Sequence, residues 1–299
     1  MSVIVPTRQR PELLRRAVTS IVDQRYDGEI EVMIVFDQET PVDPEVPMQD
    51  RRRIRLMTND RSPGLAGARN SGILATSTDL VGYCDDDDEW LPGKARRQAD
   101  AFADAPEAEV VVTGATIVYE DRTIDRISSQ PTITLQRLLR SRAQEVHPSS
   151  IVVRRASMVD GIGLVDEDIP GSYGEDYEWL LRAAGRMPIL AVPEALVRVY
   201  WHPSSFFADR WSTMIEAITY LLARHPEFER EPHGLARLYG RIAFANAALG
   251  NRSDARAWAR KTLRLNPREQ RAYLALAVST GLVSVDTLMK LAHRRGRGI

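Results

Sequence analysis

The residues best suited to chemistry lie in Val81-Gly82-Tyr83-Cys84-Asp85-Asp86-Asp87-Asp88-Glu89-Trp90-Leu91-Pro92, where a short apolar run ends in consecutive carboxylates. Carboxylates a few ångströms apart repel by about 1 kcal/mol in water and by more near a protein surface, so this stretch calls for a positive partner. On a backbone that stays extended past Cys84, alternation places Asp85 and Asp87 on one side and Asp86 and Asp88 on the other. Asp85 with Asp87 then forms a pair able to share one hard divalent cation of the magnesium type, a class commonly completed by substrate phosphates. A solvated acidic turn capping the helix that begins at Pro92 is the other reading of the same residues. A second acidic pair, Glu175-Asp176, opens a helix, where carboxylates also serve simply to complement the helix dipole. Two histidines stand near turns. His202 follows a strand in Tyr200-Trp201-His202-Pro203, and His147 precedes Pro148 and reads as a turn residue.

These residues need a scaffold, and the chain supplies an alternating one. Ser2 to Val5 reads as a buried strand, Pro6 to Pro11 as a loop, and Leu13, Leu14, Ala17, Val18, Ile21 and Val22 recur with helical spacing. Val32 to Phe36 is a second apolar strand ending at Asp37, Ile54 to Met57 a third, and the small-residue helix after Gly64 precedes the strand Leu80 to Cys84. Strands that are apolar throughout and alternate with helices indicate a mostly parallel sheet covered on both faces. Ligands of such sheets sit beyond the carboxyl ends of the strands, where Thr7, Arg8, Asp37 and Asp85 to Asp88 all fall. Further on, Val110 to Thr113 and Ile117 to Tyr119 read as strand material, Leu135 to Leu139 as a helix, and Ile151 to Val153 as a strand. Ile189 to Val192 and Leu196 to Tyr200 read as two short strands. From about Phe206 the pattern is helical: Ala208 to Arg224, His233 to Leu249, Ser253 to Leu265, Arg268 to Ser279 and Val285 to His293. The hairpin around Asn251 to Asp254 is similar to one tetratricopeptide unit without a second copy. The expected division is residues 1–205 as an α/β domain and 206–299 as a helical region with one tetratricopeptide-like hairpin.

With 299 residues, 43% hydrophobic and 27% charged, the chain has enough material for a large core. A net charge of -1 argues against a general nucleic-acid binder. One cysteine, Cys84, excludes an internal disulfide and fits a reducing compartment. Neither a secretory signal nor a membrane-spanning run is recognisable, so a cytoplasmic location is expected. Lys290, Arg294, Arg295 and Arg297 form a basic terminus that reads as a solvated tail or as a peripheral contact with the inner membrane face.

Taken together, five separated segments resemble a family 2 glycosyltransferase of the GT-A fold, a Rossmann-like α/β architecture here followed by an α-helical region. They are Val3 to Arg8, Asp37, Gly64 to Gly72 with Ala68-Arg69-Asn70, Asp85 to Pro92, and Gly174-Glu175-Asp176. Two departures stand out. Gln38-Glu39-Thr40 replaces the usual acidic residue and glycine after Asp37, and the four aspartates blur the DXD register. The resemblance implies an inverting transfer of a sugar from a nucleotide-diphosphate donor, UDP-linked by family habit, to a hydroxyl of a glycan, lipid-linked or small-molecule acceptor. It implies that Pro6, Thr7, Arg8, Asp37, Arg69, Asp85 and Asp86 bind the nucleotide, and that Asp87, Asp85, Asp88 and His202 hold Mn2+ or Mg2+. Asp176 is implied as general base with Glu175 beside it. Two rivals are a sugar nucleotidyltransferase, which wants a glycine-rich loop that Pro6 to Pro11 lacks, and a degenerate transferase acting as a scaffold.

Overall fold

The computed structural model describes residues 1–119, 122–143, 145–201, 210–281, 283–285 and 287–288. The chain divides into two compact units. Met1–Leu138, Ala143–Glu167 and Glu175–Trp201 form the first, and Leu139–Arg142, Asp168–Gly174 and His202–Ile299 the second.

The first unit is built on one ten-stranded mixed sheet. Its parallel half is built around β1 (Ser2–Thr7), buried along its whole length because both faces are covered. β2 (Ile30–Phe36) and β4 (Leu80–Tyr83) pair with it in parallel, and β3 (Arg52–Thr58) adds a parallel edge whose arginines discourage pairing with a further strand. Beyond β4 the sheet changes character. β5 (Glu89–Trp90) and β9 (Ile151–Arg154) run antiparallel to their neighbours, while β6 (Val110–Tyr119) and β10 (Ile189–Tyr200) are parallel to each other. β7 (Arg122–Arg126) and β8 (Thr132–Ile133) hang off β6 and β10. The expected α/β sheet with flanking helices is therefore present, with a mixed half added. The two short strands expected at Ile189 to Tyr200 are one, because the chain passes Pro193 through register shifts rather than leaving the sheet.

Helices settle on this sheet for legible reasons. α1 (Pro11–Val22) starts with Pro11 in its first turn and buries Leu14, Ala17, Val18, Ile21 and Val22. The loop behind it is tied down by buried Arg52, which donates to the carbonyls of Val22, Gln24, Tyr26 and Gly28 at 2.7–3.1 Å. α2 (Leu65–Ala75) lies directly on the strands, since a Cβ on Gly72 would stand 2.6 Å from Ile4. α3 (Lys94–Asp104), α4 (Leu135–Arg140), the single turn α5 (Arg155–Ser157) and α6 (Glu175–Arg186) follow.

The second unit contains α7 (Trp211–Arg224), α8 (Pro232–Ala248), α9 (Arg252–Leu265) and α10 (Gln270–Ser279). Ala243, Ala247, Ala255, Ala259, Ala272 and Ala275, small residues that let helices approach closely, make its core together with Phe244. α8 ends in a left-handed Gly250, whose neighbour Asn251 donates back to Asn246. The expected last helix and the basic terminus fall largely outside the described residues. No helix among the described residues is long and apolar enough to cross a membrane.

Candidate active site

Cys84 still pairs with β1, its amide donating to Ile4 at 3.1 Å, but the chain then turns: the amide of Asp88 donates to the carbonyl of Asp85 at 3.0 Å. This corrects the expectation of an extended segment. An i to i+3 bond sends alternate side chains to different surroundings and brings the first and fourth carboxylates together. Asp86 points down, accepting from Thr7 Oγ1 at 2.8 Å and from Arg10 at 3.2 Å. Burial, reinforced by Asp87 and Asp85, raises its carboxyl to about 6 against the pull of Thr7 and Arg10. Asp87 accepts from Arg10 at 3.0 Å, and its carbonyl accepts from Arg16 at 2.8 Å.

Asp85 and Asp88 face a different partner. The 147–150 segment arrives beside the turn, where Ser149 accepts from the amide of Asp85 and donates to the carboxylate of Asp88. His147 Nδ1 stands 3.1 Å from the same carboxylate. Burial works against an imidazolium, but Asp88, then Asp85 and Asp176, outweigh it and raise His147 to about 9. Asp85, Asp88 and His147 each offer a ligand atom, all within 4.8 Å of one another. Two carboxylates and an imidazole suit a manganese-type ion better than magnesium, which prefers oxygen alone. Asp87 is outside this trio, and His202 lies outside the described residues.

Arg69 joins this group to the second acidic pair. Only 2% exposed, it donates to Asp85 at 2.7 Å and to Glu175, and its guanidinium stands 5.6 Å from the centre of the Tyr83 ring. Glu175 and Asp176 are both buried in the first turn of α6, where the helix dipole favours negative charge. Burial, with Asp176 and Asp85 as like charges, raises Glu175 to about 7 despite Arg69. A carboxyl raised by burial beside a second carboxylate is a common setting for acid–base work.

The remaining predicted residues are placed as follows. Pro6 is buried within β1, opposite Val35. Arg8 is half exposed, 3.9 Å from Asp37. Asp37 is engaged by the protein itself, accepting from Asn59 at 2.8 Å, Gln38 at 3.0 Å and the amide of Gly64 at 3.1 Å. Burial opposes its ionised form, but these bonds and Arg8 keep its carboxyl below the usual range. A parallel clamp lies nearby: Glu167 accepts from Arg61, from the amide and hydroxyl of Ser62 and from Asn70, tying its loop to the start of α2.

Residues 2–160, just over half the chain, match the family model described as "Glycosyl transferase family 2". The chain belongs to this family. Among curated relatives of the transferase, a pre-mycofactocin glycosyltransferase of Mycobacterium tuberculosis is 28% identical over 191 residues, 62% of this chain and 39% of the relative. A GalNAc(5)-diNAcBac-PP-undecaprenol beta-1,3-glucosyltransferase of Campylobacter jejuni is 37% identical over 98 residues, 31% of each. The chain spans about two fifths of the length of the first curated relatives it matches. Among solved structures, S. aureus TarS 1-349 in complex with UDP-GlcNAc aligns with a TM-score of 0.58 at 16% identity, covering 99% of this chain and 92% of that one. A Pyrobaculum calidifontis mannosyltransferase in complex with GDP-Man and Mn2+ aligns at 0.53 and 16%, covering 99% and 79%. These structures share the GT-A fold with the chain.

Arg10, Ser149 and Asn59, not expected from their own segments, contact the predicted residues, and His147, expected only as a turn residue, reaches the acidic cluster. Arg10 had a signal, as a second cation in the loop between β1 and α1. Ser149 had none, because its partners are distant in the chain.

Proposed function

We propose that the chain is an inverting glycosyltransferase that moves a sugar from a nucleotide-diphosphate donor, UDP-linked by default, to an acceptor hydroxyl. The observation that carries this reading is the meeting of Asp85, Asp88 and His147 on one side of Arg69 with Glu175 and Asp176 on the other. Asp85, Asp88 and His147 would hold a divalent cation, with Asp87 a further carboxylate available if a ligand replaces it on Arg10. A bound cation would supply positive charge to the diphosphate, where negative charge grows as the leaving group departs. Thr7, Arg8, Asp86 and Arg69 would line the donor site.

On the acceptor side Asp176 takes the proton of the attacking hydroxyl as its oxygen bonds to the anomeric carbon and the bond to the diphosphate breaks on the opposite face. Glu175, committed to Arg69, orients that pair rather than moving the proton. Relatives named for acceptors linked to PP-undecaprenol favour a lipid-linked acceptor here. The test is a panel of nucleotide sugars with Mn2+, read for transfer and for donor binding. Asp176→Asn should bind the donor with metal as the wild type does and transfer sugar about 100-fold more slowly or worse, the usual contribution of a positioned base. Wild-type transfer by that variant would remove Asp176 from the mechanism.

A further inference from the structure

The second unit gathers charge of the opposite sign. α8 places Arg237 and Arg241 one turn apart, and three glycines bring companions to them. A Cβ on Gly234 would overlap the carbonyl oxygen of Leu139, so α8 rests directly on the short segment that ends at Arg142. A Cβ on Gly240 would stand 3.0 Å from Glu269 Cγ and 3.2 Å from Arg271 Cβ, so the start of α10 is pressed against α8 beside Arg241. Gly171, at a φ of 60°, packs closely on Thr213 of α7 and carries the segment that holds Tyr173. Arg241 donates to the Tyr173 hydroxyl, and its guanidinium stands 5.5 Å from the centre of that ring.

Arg241 thus offers its proton to a neutral hydroxyl while standing among cations. Burial first, and then Arg142, Arg237 and Arg271 as like charges, lower its pKa, with Tyr173 working the other way. Arg271 spends one nitrogen on Glu269 at 2.8 Å and leaves Nε buried without a hydrogen-bond partner. Guanidiniums are planar forks matched to phosphate oxygens, and several held together are stabilised when an oxyanion lies among them.

We propose that Arg142, Arg237, Arg241 and Arg271, with the Tyr173 hydroxyl, form a binding site for a phosphate or diphosphate group. Resting on the transferase reading above, this group would be the phosphate of a lipid-linked acceptor. The headgroup of an anionic membrane lipid offers the same chemistry, and the experiment separates the two.

The full chain is titrated with inorganic diphosphate by calorimetry in EDTA, which leaves a metal-dependent donor site silent. Wild type should bind, with affinity falling as salt rises, and Arg241→Gln and Arg271→Gln should each bind roughly tenfold more weakly or worse, the scale of one lost charge-assisted bond. Arg271 is partly exposed, so its variant keeps the test open should Arg241→Gln fail to fold. Farnesyl diphosphate and phosphatidylglycerol vesicles form the two source arms. Variant-sensitive binding of the first assigns the site to an acceptor phosphate, and variant-sensitive pelleting with the second assigns it to the membrane. Absence of diphosphate binding by wild type, or binding that both variants retain, would overturn the proposal. UDP binding with Mn2+ is measured alongside; its loss in wild type would count against the transferase mechanism and leave the arginine site standing.

Discussion

Glu167→Gln tests how the loop before α6 is held to the start of α2. Four donors converge on this carboxylate, from Arg61, the amide and hydroxyl of Ser62, and Asn70. Burial alone would raise its pKa, but the bonds from Asn70, Ser62 and Arg61 carry it from the ordinary 4.5 down to about 2. At 1.36 kcal/mol per pH unit that difference corresponds to a ceiling of about 3 kcal/mol. Arg61 is well exposed, at 39%, and solvent screens its share, so roughly 1–2 kcal/mol is expected at pH 7. The sign is fixed by linkage. A carboxylate whose pKa falls on folding stabilises the native state fully above its unfolded value, and the benefit is lost as pH drops from about 4.5 toward about 2. Glutamine keeps the shape and removes the charge, so its deficit should be greatest at neutral pH. Urea denaturation of wild type and variant at pH 7 and at pH 4 measures it. The difference between the two proteins should shrink at the lower pH, with the m-value unchanged. An equal deficit at both values would mean that packing, and not the ionised carboxylate, holds the loop, and the reasoning from hydrogen-bonded charge would fail.

Three further outcomes follow from the geometry. Arg69→Met leaves buried Glu175 and half-buried Asp85 without their shared cation and should cost about 3–5 kcal/mol in urea denaturation, the usual result of removing one partner from a buried ion pair; a change under about 1 kcal/mol would mean that these carboxylates are better solvated than their burial implies. His147→Ala should weaken Mn2+ binding in the presence of UDP by roughly tenfold, the effect expected of one lost ligand contact, and unchanged affinity by calorimetry would restrict the cation to the aspartates. Gly67→Ala, whose Cβ would overlap the carbonyl oxygen of Ser62, should lower stability by roughly 1–3 kcal/mol through overpacking, whereas a thermal midpoint equal to wild type would show that the 59–64 loop can move aside.

Much of this architecture is legible because it is local. The apolar runs at Val3 to Val5 and Val32 to Phe36 cannot be solvated, and the helical stripe from Leu14 to Val22 can only face a sheet, so strand, helix and strand follow from period alone. The acidic run is legible for the same reason, as carboxylates delivered by a buried strand. Its internal arrangement is not. Alternation assumes an extended backbone, and one hydrogen bond from the Asp88 amide to Asp85 replaces a period of two with a turn, exchanging Asp87 for Asp88 as the companion of Asp85. What selects the turn is the company it keeps: Thr7 at the end of β1 and Arg10 in the loop after it hold Asp86, while Ser149 reaches both the Asp85 amide and the Asp88 carboxylate. Those partners come from two distant places in the chain, so no window contains the information. His147 illustrates the same limit. Before Pro148 it has every local mark of a turn residue, and it is one, its carbonyl accepting from the Ser150 amide at 2.8 Å. The antiparallel entry of β9 between β4 and β6 is what carries that turn to the acidic cluster and gives its imidazole a second occupation. A residue can thus satisfy its local rule and still belong to a site, and only the sheet order tells the two cases apart.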